Sequence, residues 1–397
     1  MSRRAALMLT PRLPWPQDDG GRIVMWQALA AAARQWSVTL VSFCRAEEVR
    51  DPDPPEVCGL GVRVVRVAHS PPSVPRAAAA GLLGRWPYTL ARYRSAAMNR
   101  AVRAAVAHVR PAFALASNLH MATYEDAIGQ VPLVLREQNL EYVWMTRFAR
   151  ALGPTPAGIY ARLQAERLRR AERRLVERAA LTLAIQPEEA ASIRSLCPDA
   201  RVETLPVGVD LVRIPPREPS IPPTLLLAGS LEWPPNVDGA RAFLRRGWPR
   251  VKARVPGVRL RLAGKNPPPR LLREADAAGA AVAPNVASMG EEFRRAAALV
   301  IPLWMGAGAR VKAIEAMAAG LPVVSTPIGM EGLGAVPGTH YLAAETPEGL
   351  GEAATESLAA PERAAGRAAS ARALVAERHS LEAVAGMLTE LCASVAR

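Results

Sequence analysis

Lysine is nearly missing from this chain: of its 50 basic residues only Lys252, Lys265 and Lys312 are lysines. Phenylalanine, tyrosine and tryptophan make up 5% of the residues, too few for the aromatic platforms on which single-stranded nucleic acid stacks. The cysteines, Cys44, Cys58, Cys197 and Cys392, lie far apart and form no Cys-x-x-Cys pair. That argues against a zinc site or a disulfide framework and leaves reduced, cytosolic thiols as the expectation. His69, His108, His120, His340 and His379 show no metal-ligand spacing, so no metal is expected. No apolar run approaches membrane-spanning length; the stretch from Ala296 to Met305 is broken by a proline. Ala5 to Leu9 follows Arg3 and Arg4 but is too short for a secretory signal and runs into Pro11, Pro14 and Pro16. It reads as a first buried strand.

What is present in excess is arginine. The formal net charge of +14 suits anionic partners. From Arg147 to Arg178 arginines outnumber glutamates, many of them at helical spacing. Two readings follow: a solvated helix face, or a surface for acidic lipid or a lipid-diphosphate acceptor at the inner face of the membrane.

At 397 residues the chain is long enough for two α/β domains with cores of their own. Its first half alternates short apolar runs with longer helical patterns, the mark of a parallel sheet covered on both faces. Strands are expected at Ala6 to Leu9, Val38 to Ser42, Val62 to Val67, Phe113 to Ala116, Val131 to Leu135 and Leu181 to Ile185. Helices are expected at Arg22 to Arg34, Arg92 to Val109 and Ala157 to Arg178. From Val202 to Pro223 repeated prolines favour extended chain. An interdomain linker is placed at 206–223, between a first domain at 1–205 and a second at 224–380. Strands of the second domain are expected at Thr224 to Ala228, Val258 to Ala263, Ala281 to Ala283, Leu299 to Pro302 and Pro322 to Ser325. The region from Thr346 onward is alanine-rich and helical, with Leu374, Leu381, Val384, Met387 and Leu388 as an apolar stripe.

The stretch GAGARVKAIEAMAAGLPVVST, Gly306 to Thr326, reads as a glycine turn, a helix and a strand. Gly306 and Gly308 let the backbone approach a ligand, and a helix starting just after them aims unpaired N–H groups and its positive dipole end at it. Arg310 and Lys312 bring fixed charge to the same turn. Glu315, about one turn further in, can accept two hydrogen bonds from a vicinal diol. Diphosphate and ribose would then be read by one helix. The plainer alternative is one more αβ unit, since Met317, Ala318 and the strand from Pro322 look like ordinary core. A purely structural helix has no reason to gather two glycines, two cations and a carboxylate around its first turn.

The run RVKAIEAMAAGLPVVSTPIGMEGL resembles the donor-binding signature of the retaining glycosyltransferases of family 4. The resemblance implies a GT-B fold: two Rossmann-like, doubly wound α/β domains facing across a cleft, with a C-terminal helix at 381–397 returning to the N-terminal domain. It further implies a nucleoside diphosphate sugar as substrate, UDP being taken ahead of GDP, no tightly bound cofactor, and transfer to a hydroxyl with retention.

Other segments extend the resemblance. LTPRLPWPQDDGGRIVMWQAL resembles the family's first loop, in which Gly20 and Gly21 would turn backbone N–H groups toward the donor; a Gly-Gly turn before a helix is also an ordinary structural device. Asn118 to Tyr124 and Arg136 to Tyr142 follow expected strands, and ligands of doubly wound folds bind at the carboxyl ends of strands. The second of these resembles a family motif with His before Asn and an acidic residue soon after. Gln138 stands at the His position, and glutamine takes no proton near neutral pH. Gln138, Asn139 and Glu141 are assigned to the acceptor, Glu141 alternatively pairing with Arg147. His120 is the nearest titratable substitute or, alternatively, a satisfied structural group.

Gly229 to Asn236 resembles a branch with G-S-x-x-W-x-P-N, in which Ser230 and Asn236 are polar but uncharged where many relatives place an Arg and a Lys-Gly; Gly229, Ser230 and Asn236 are assigned to the donor. Neutralising the diphosphate then falls to Arg310 and Lys312, with Lys265. Ala307 stands where many members carry the first of two glutamates, leaving Glu315. The expectation is a hexosyltransferase-type enzyme of glycan, polysaccharide or glycosylated natural-product biosynthesis. It is expected to be cytoplasmic, with His120, Arg310 and Lys312 in catalysis, a lipid-linked glycan or small molecule as acceptor, and no nucleic-acid partner. A catalytically silent GT-B binding module and a sugar-nucleotide epimerase of the same fold are the alternatives. A phosphorylase is disfavoured, because a pyridoxal lysine is hard to find in so lysine-poor a chain.

Overall fold

The apolar runs of the N-terminal half become seven strands: β1 (Ala5–Thr10), β2 (Ser37–Cys44), β3 (Arg63–Ala68), β4 (Ala114–Ala116), β5 (Leu133–Arg136), β6 (Leu181–Ala184) and β7 (Val202–Thr204). In the computed structural model, which describes residues 3–211, 214, 217–305 and 310–396, these form a parallel sheet in the order β3-β2-β1-β4-β5-β6-β7. Successive side chains of a strand point to opposite faces, and here both faces are buried. Leu7, Leu9, Val41, Phe43, Leu133 and Leu135 enter one apolar cluster, while Met8, Leu40, Leu115, Val134 and Leu183 enter another. Burial on both sides is why the strands read as nearly continuous apolar runs. Helix Ala96–Val109 supplies Met98, Val102 and Ala105 to the first cluster; helix Gly20–Gln35 supplies Ala28, Leu29 and Ala32 to the second.

Among the described residues a second parallel sheet contains β8 (Thr224–Ala228), β9 (Arg259–Gly264), β10 (Ala281–Pro284), β11 (Ala298–Ile301), β12 (Val323–Ser325) and β13 (Leu342–Ala343), in the order β10-β9-β8-β11-β12-β13. The chain divides into two compact units. One runs to Val207 and takes up the chain again from Ala383; the described residues of the other lie between Gly208 and Glu382. The last helix, Leu381–Ala393, places Val384, Ala385, Leu388 and Cys392 in the core of the first unit with Leu183 and Leu205. Met387 is 39% exposed, because the repeat through positions 384, 388 and 392 sets the buried face and leaves 387 beside it.

Two details depart from the expected elements. β7 and β13 are short edge strands, too brief for a periodic signal. The helix expected from Arg92 to Val109 begins only at Ala96: Ser95 is its N-cap, its Oγ accepting from the N–H of Met98 (3.4 Å). Its own N–H donates to the hydroxyl of Tyr124 (2.9 Å).

Helix Glu141–Leu152 starts without a capping side chain of its own. Glu172, on helix Pro156–Arg178, supplies the acceptor, taking the N–H groups of Glu141 (3.2 Å) and Tyr142 (3.1 Å). Glu172 is fully buried, with Glu141 and Glu189 near it. Burial and those like charges outweigh the two backbone donors and push its carboxyl up to about 8. Glu137, buried beside it, is raised well above the usual range for the same reasons.

Glu172 has a stability consequence of definite sign. Between its ordinary value of 4.5 and about 8, the folded protein holds a proton that the unfolded chain has lost. Its contribution to stability therefore falls as pH rises through that window and levels off above it. Glu172→Gln, which keeps a carbonyl oxygen for the two N–H groups, is expected to flatten the decline of Tm across this range. A wild-type slope in the variant would remove Glu172 from the account.

Candidate functional site

A doubly wound sheet opens a crevice where the strand order reverses, at the carboxyl ends of the two strands on either side. In the second unit that point lies between β8 and β11. The loops leaving β8, β9 and β11 carry Gly229 to Asn236, Lys265, and Arg310 to Glu315, so topology gathers these segments at one edge of one sheet. Gly306 and Gly308 lie outside the described residues.

Gly229 has φ of 134°, a conformation left to glycine, and a Cβ there would lie 3.1 Å from both Lys312 Nζ and Asn236 Nδ2. Its bare backbone leaves room for the Lys312 ammonium to fold against the end of β8. The ammonium donates to the carbonyl of Ala228 (3.1 Å) and to Asn236 Oδ1 (2.7 Å). Asn236, near the start of helix Pro234–Ala242, donates in turn to the carbonyl of Ser230 (2.9 Å). Segments far apart in sequence thus become one hydrogen-bonded unit, which commits two of the three ammonium protons and leaves the third for a ligand. Burial, helped by the charge of Arg310, lowers Lys312 to about 7.

Arg310 is only 4% exposed and stands at the N-cap of helix Val311–Ala318. It donates from Nε to the carbonyl of Ile328 (2.9 Å) and from Nη2 to Glu331 (3.1 Å). Its charge is therefore fixed in place behind the helix start. Glu315 lies about one turn further on, half-buried. Burial raises its carboxyl to about 7, and its side-chain oxygens accept no hydrogen bond from the described residues. Lys265 follows β9, and its carbonyl accepts from the N–H of Leu231 (2.9 Å), tying the two loops together. Ser230 Oγ reaches Glu232 at 3.5 Å, and Glu232 accepts from Asn266 Nδ2 (2.8 Å).

The first unit repeats this logic between β1 and β4. Gly20 and Gly21 open helix Gly20–Gln35, whose N-cap Asp19 accepts from the N–H of Arg22 (3.1 Å) and from Arg12 (2.6 Å). A Cβ on Gly21 would meet Arg12 at 3.0 Å, and Asp19 and Gln138 at 3.3 Å. Gln138 donates from Nε2 to the carbonyl of Ser117 (2.8 Å), and Asn139 donates to Glu141 (3.0 Å). His120, on the short helix Leu119–Ala122, has its ring 4.5 Å from that of Tyr93. Its Nδ1 is buried without a hydrogen-bond partner among the described residues, and burial lowers its pKa. A neutral imidazole with an unengaged nitrogen can accept a proton.

Arg12, Asp19, Ser117 and Glu331 belong to these constellations although the sequence reading passed over them. Asp19 was legible as a helix-capping residue before Gly-Gly. Ser117 contributes only its carbonyl and so leaves no side-chain signal. Among the described residues no group of three or more His, Cys, Asp or Glu side chains is placed to hold a metal ion.

The profile of the family described as Glycosyl transferases group 1 matches residues 222–360. No curated protein sequence matches the chain. Sucrose-phosphate synthase from Thermosynechococcus elongatus superposes with a TM-score of 0.73 at 18% identity, over 99% of this chain and 99% of that one. HepE from Anabaena, in a structure with UDP and glucose, gives 0.70 at 13% identity, over 99% of this chain and 100% of that one. A UDP-forming trehalose-phosphate synthase from Burkholderia xenovorans gives 0.64 at 14% identity, over the full length of both. At these identities the likeness establishes the fold alone: the chain has the GT-B fold of two Rossmann-like α/β domains.

Glu315 and Lys312 pull stability in opposite directions with pH. Between 4.5 and about 7 the folded state retains the Glu315 proton that the unfolded chain has lost, so stability falls as pH rises. Between about 7 and 10.5 the folded state has lost the Lys312 proton that the unfolded chain keeps, so stability rises with pH. Their summed contribution is least near neutrality. In Tm measured against pH, Glu315→Gln is expected to make the falling limb shallower, Glu172 supplying the remainder, and Lys312→Met to flatten the rising one; variants with wild-type slopes would contradict this.

Proposed function

We propose that the protein is a retaining, family 4-type glycosyltransferase that moves a sugar, a hexosyl group, from a nucleoside diphosphate sugar to an acceptor hydroxyl. The observation that carries this reading is the Gly229, Asn236 and Lys312 unit at the strand-order reversal, inside the stretch that matches a glycosyltransferase family. The unengaged proton of Lys312 meets the donor diphosphate, with the fixed charge of Arg310 behind it and Lys265 on the neighbouring loop. Glu315, once ionised, takes the two ribose hydroxyls. Ser230, Gly306 and Gly308 complete the donor loops.

In the first unit, Gly20 and Gly21 supply backbone donors to the sugar, and Gln138, Asn139 and Glu141 bind the acceptor. Neutral His120 is the protein group that would receive a proton; in the family picture the leaving phosphate does so instead. Catalysis on either route consists of holding donor and acceptor together and stabilising the departing diphosphate electrostatically. UDP is the proposed nucleotide, in keeping with the UDP held by the similarly folded HepE. The acceptor is a lipid-linked glycan or a small natural product, and the site of action the cytoplasm.

Thermal-shift measurement against UDP, GDP, ADP and TDP, with and without Mg²⁺, tests this reading. UDP is expected to raise Tm, and Glu315→Ala to lose most of that gain while keeping the unliganded stability. Once a donor is identified, Lys312→Ala is expected to lower turnover by roughly 100-fold, the scale of losing one preorganised electrostatic donor. Failure of every nucleotide to shift Tm would overturn the proposal.

A further inference from the structure

The arginine-rich segment from Arg147 to Arg178 is largely paired within the fold. Arg170 pairs with Glu166 (3.0 Å), Arg173 with Glu177 (2.7 Å), and Arg174 and Arg178 with Glu125 (3.1 and 3.2 Å), while Arg167 donates to the carbonyl of Gly84. The uncompensated charge lies elsewhere. Arg94, Arg100 and Arg103 have no carboxylate partner among the described residues, and with Ser95, Ala96 and Asn99 they line an open surface cavity of about 600 Å³. No acidic side chain lines it.

This cavity adjoins an apolar tip. The Arg94 guanidinium lies 5.3 Å from the ring centre of Trp86, which also faces Arg85 (5.5 Å) and Arg174 (4.5 Å). Just before Trp86 in the chain, helix Val74–Leu83 ends in Leu82 and Leu83, which are 45% and 91% exposed. Two bare leucines, a half-buried tryptophan and guanidiniums without carboxylate partners, Arg94 held by the Thr123 carbonyl and Arg103 by Asn99 (3.2 Å), match the layers of a bilayer surface, where hydrocarbon lies beneath an interfacial zone and a plane of phosphates. Nucleic acid would supply the phosphates but nothing for the leucines.

We infer that this face of the first unit docks on an anionic phospholipid bilayer, with Leu82 and Leu83 entering the apolar boundary, Trp86 at the interface, and Arg94, Arg100 and Arg103 on lipid phosphates. The contact is peripheral: no helix among the described residues is long and apolar enough to cross a membrane. The inference stands apart from the sugar-transfer reading, because its test contains no donor sugar.

The test is co-sedimentation of the full chain with vesicles of phosphatidylcholine alone and of phosphatidylcholine mixed with phosphatidylglycerol. The wild type is expected to sediment with the mixed vesicles only, and less at high salt. Arg100→Gln with Arg103→Gln is expected to weaken that binding about tenfold or more, since each basic residue near an anionic surface contributes appreciably. Leu82→Ser with Leu83→Ser is expected to weaken it as well, leaving only a salt-labile remainder. All four positions are exposed, and an unchanged Tm confirms that each variant is folded. Absence of wild-type sedimentation with the mixed vesicles, or wild-type sedimentation by both variants, would overturn the inference. Retention of RNA on a filter, lost on changing the arginines, without vesicle binding would assign the surface to nucleic acid.

Discussion

The ammonium of Lys312 against the carboxyl end of β8 is the contact on which the proposed donor site depends. Taking a cation partly out of water is unfavourable unless its protons find acceptors, and the Ala228 carbonyl and the Asn236 amide supply two. The arrangement fixes the neighbouring residues. Position 229 favours glycine, because its φ of 134° strains any side chain and a Cβ would press to 3.1 Å from the ammonium. Asn236 must present its oxygen to Lys312, and it is oriented by donating its own amide to Ser230. Arg310 adds a second positive charge close enough to make protonation of Lys312 harder. In the proposed function, an entering diphosphate relieves the repulsion between these like charges as it binds.

Raised carboxyl pKa values occur in both units, yet they mean different things. Glu172 is raised to about 8 and Glu315 to about 7, so the shift alone does not separate structure from function. What separates them is hydrogen bonding. Glu172 accepts two backbone N–H groups and holds the start of a helix, and replacing it exposes donors that nothing else satisfies. Glu315 sits at the reversal point of its sheet with no hydrogen-bond donor among the described residues, so its hydrogen-bonding capacity there is not spent within them.

The fold was legible where burial was complete. β8 was placed at its observed limits because Thr224 to Ala228 is covered on both sides and turns at Gly229; β13 was missed because two edge residues have no period. The helix break at Ser95 was missed because its cause, the hydroxyl of Tyr124, lies far along the chain. At the site, residue types were readable from glycine, charge and spacing, but partnership was not. Gly229, Asn236 and Lys312 each stood out separately, and only the parallel order of β8 and β11 makes them neighbours. Arg310 carries the charge its sequence position implied, but its partners Ile328 and Glu331 lie beyond the helix and hold the guanidinium away from solvent.

The scarcity of lysine then becomes informative. In a chain whose basic residues are almost all arginine, Lys265 directly follows β9, and Lys312, in the first turn of helix Val311–Ala318, reaches the end of β8 with its ammonium. For Lys312 the structure supplies a reason. Its acceptors lie 3.1 and 2.7 Å from one nitrogen, a convergence that a compact ammonium with three rotatable donors can meet. A guanidinium spreads five donors over a rigid plane and matches acceptors arranged as a fork; forced into the same gap, it would displace Asn236 or the Ala228 carbonyl. It would also lack the lysine's ability to shed its proton when buried, so the charge of Arg310 beside it would go unrelieved. Position 312 therefore suits lysine over arginine on both geometric and electrostatic grounds.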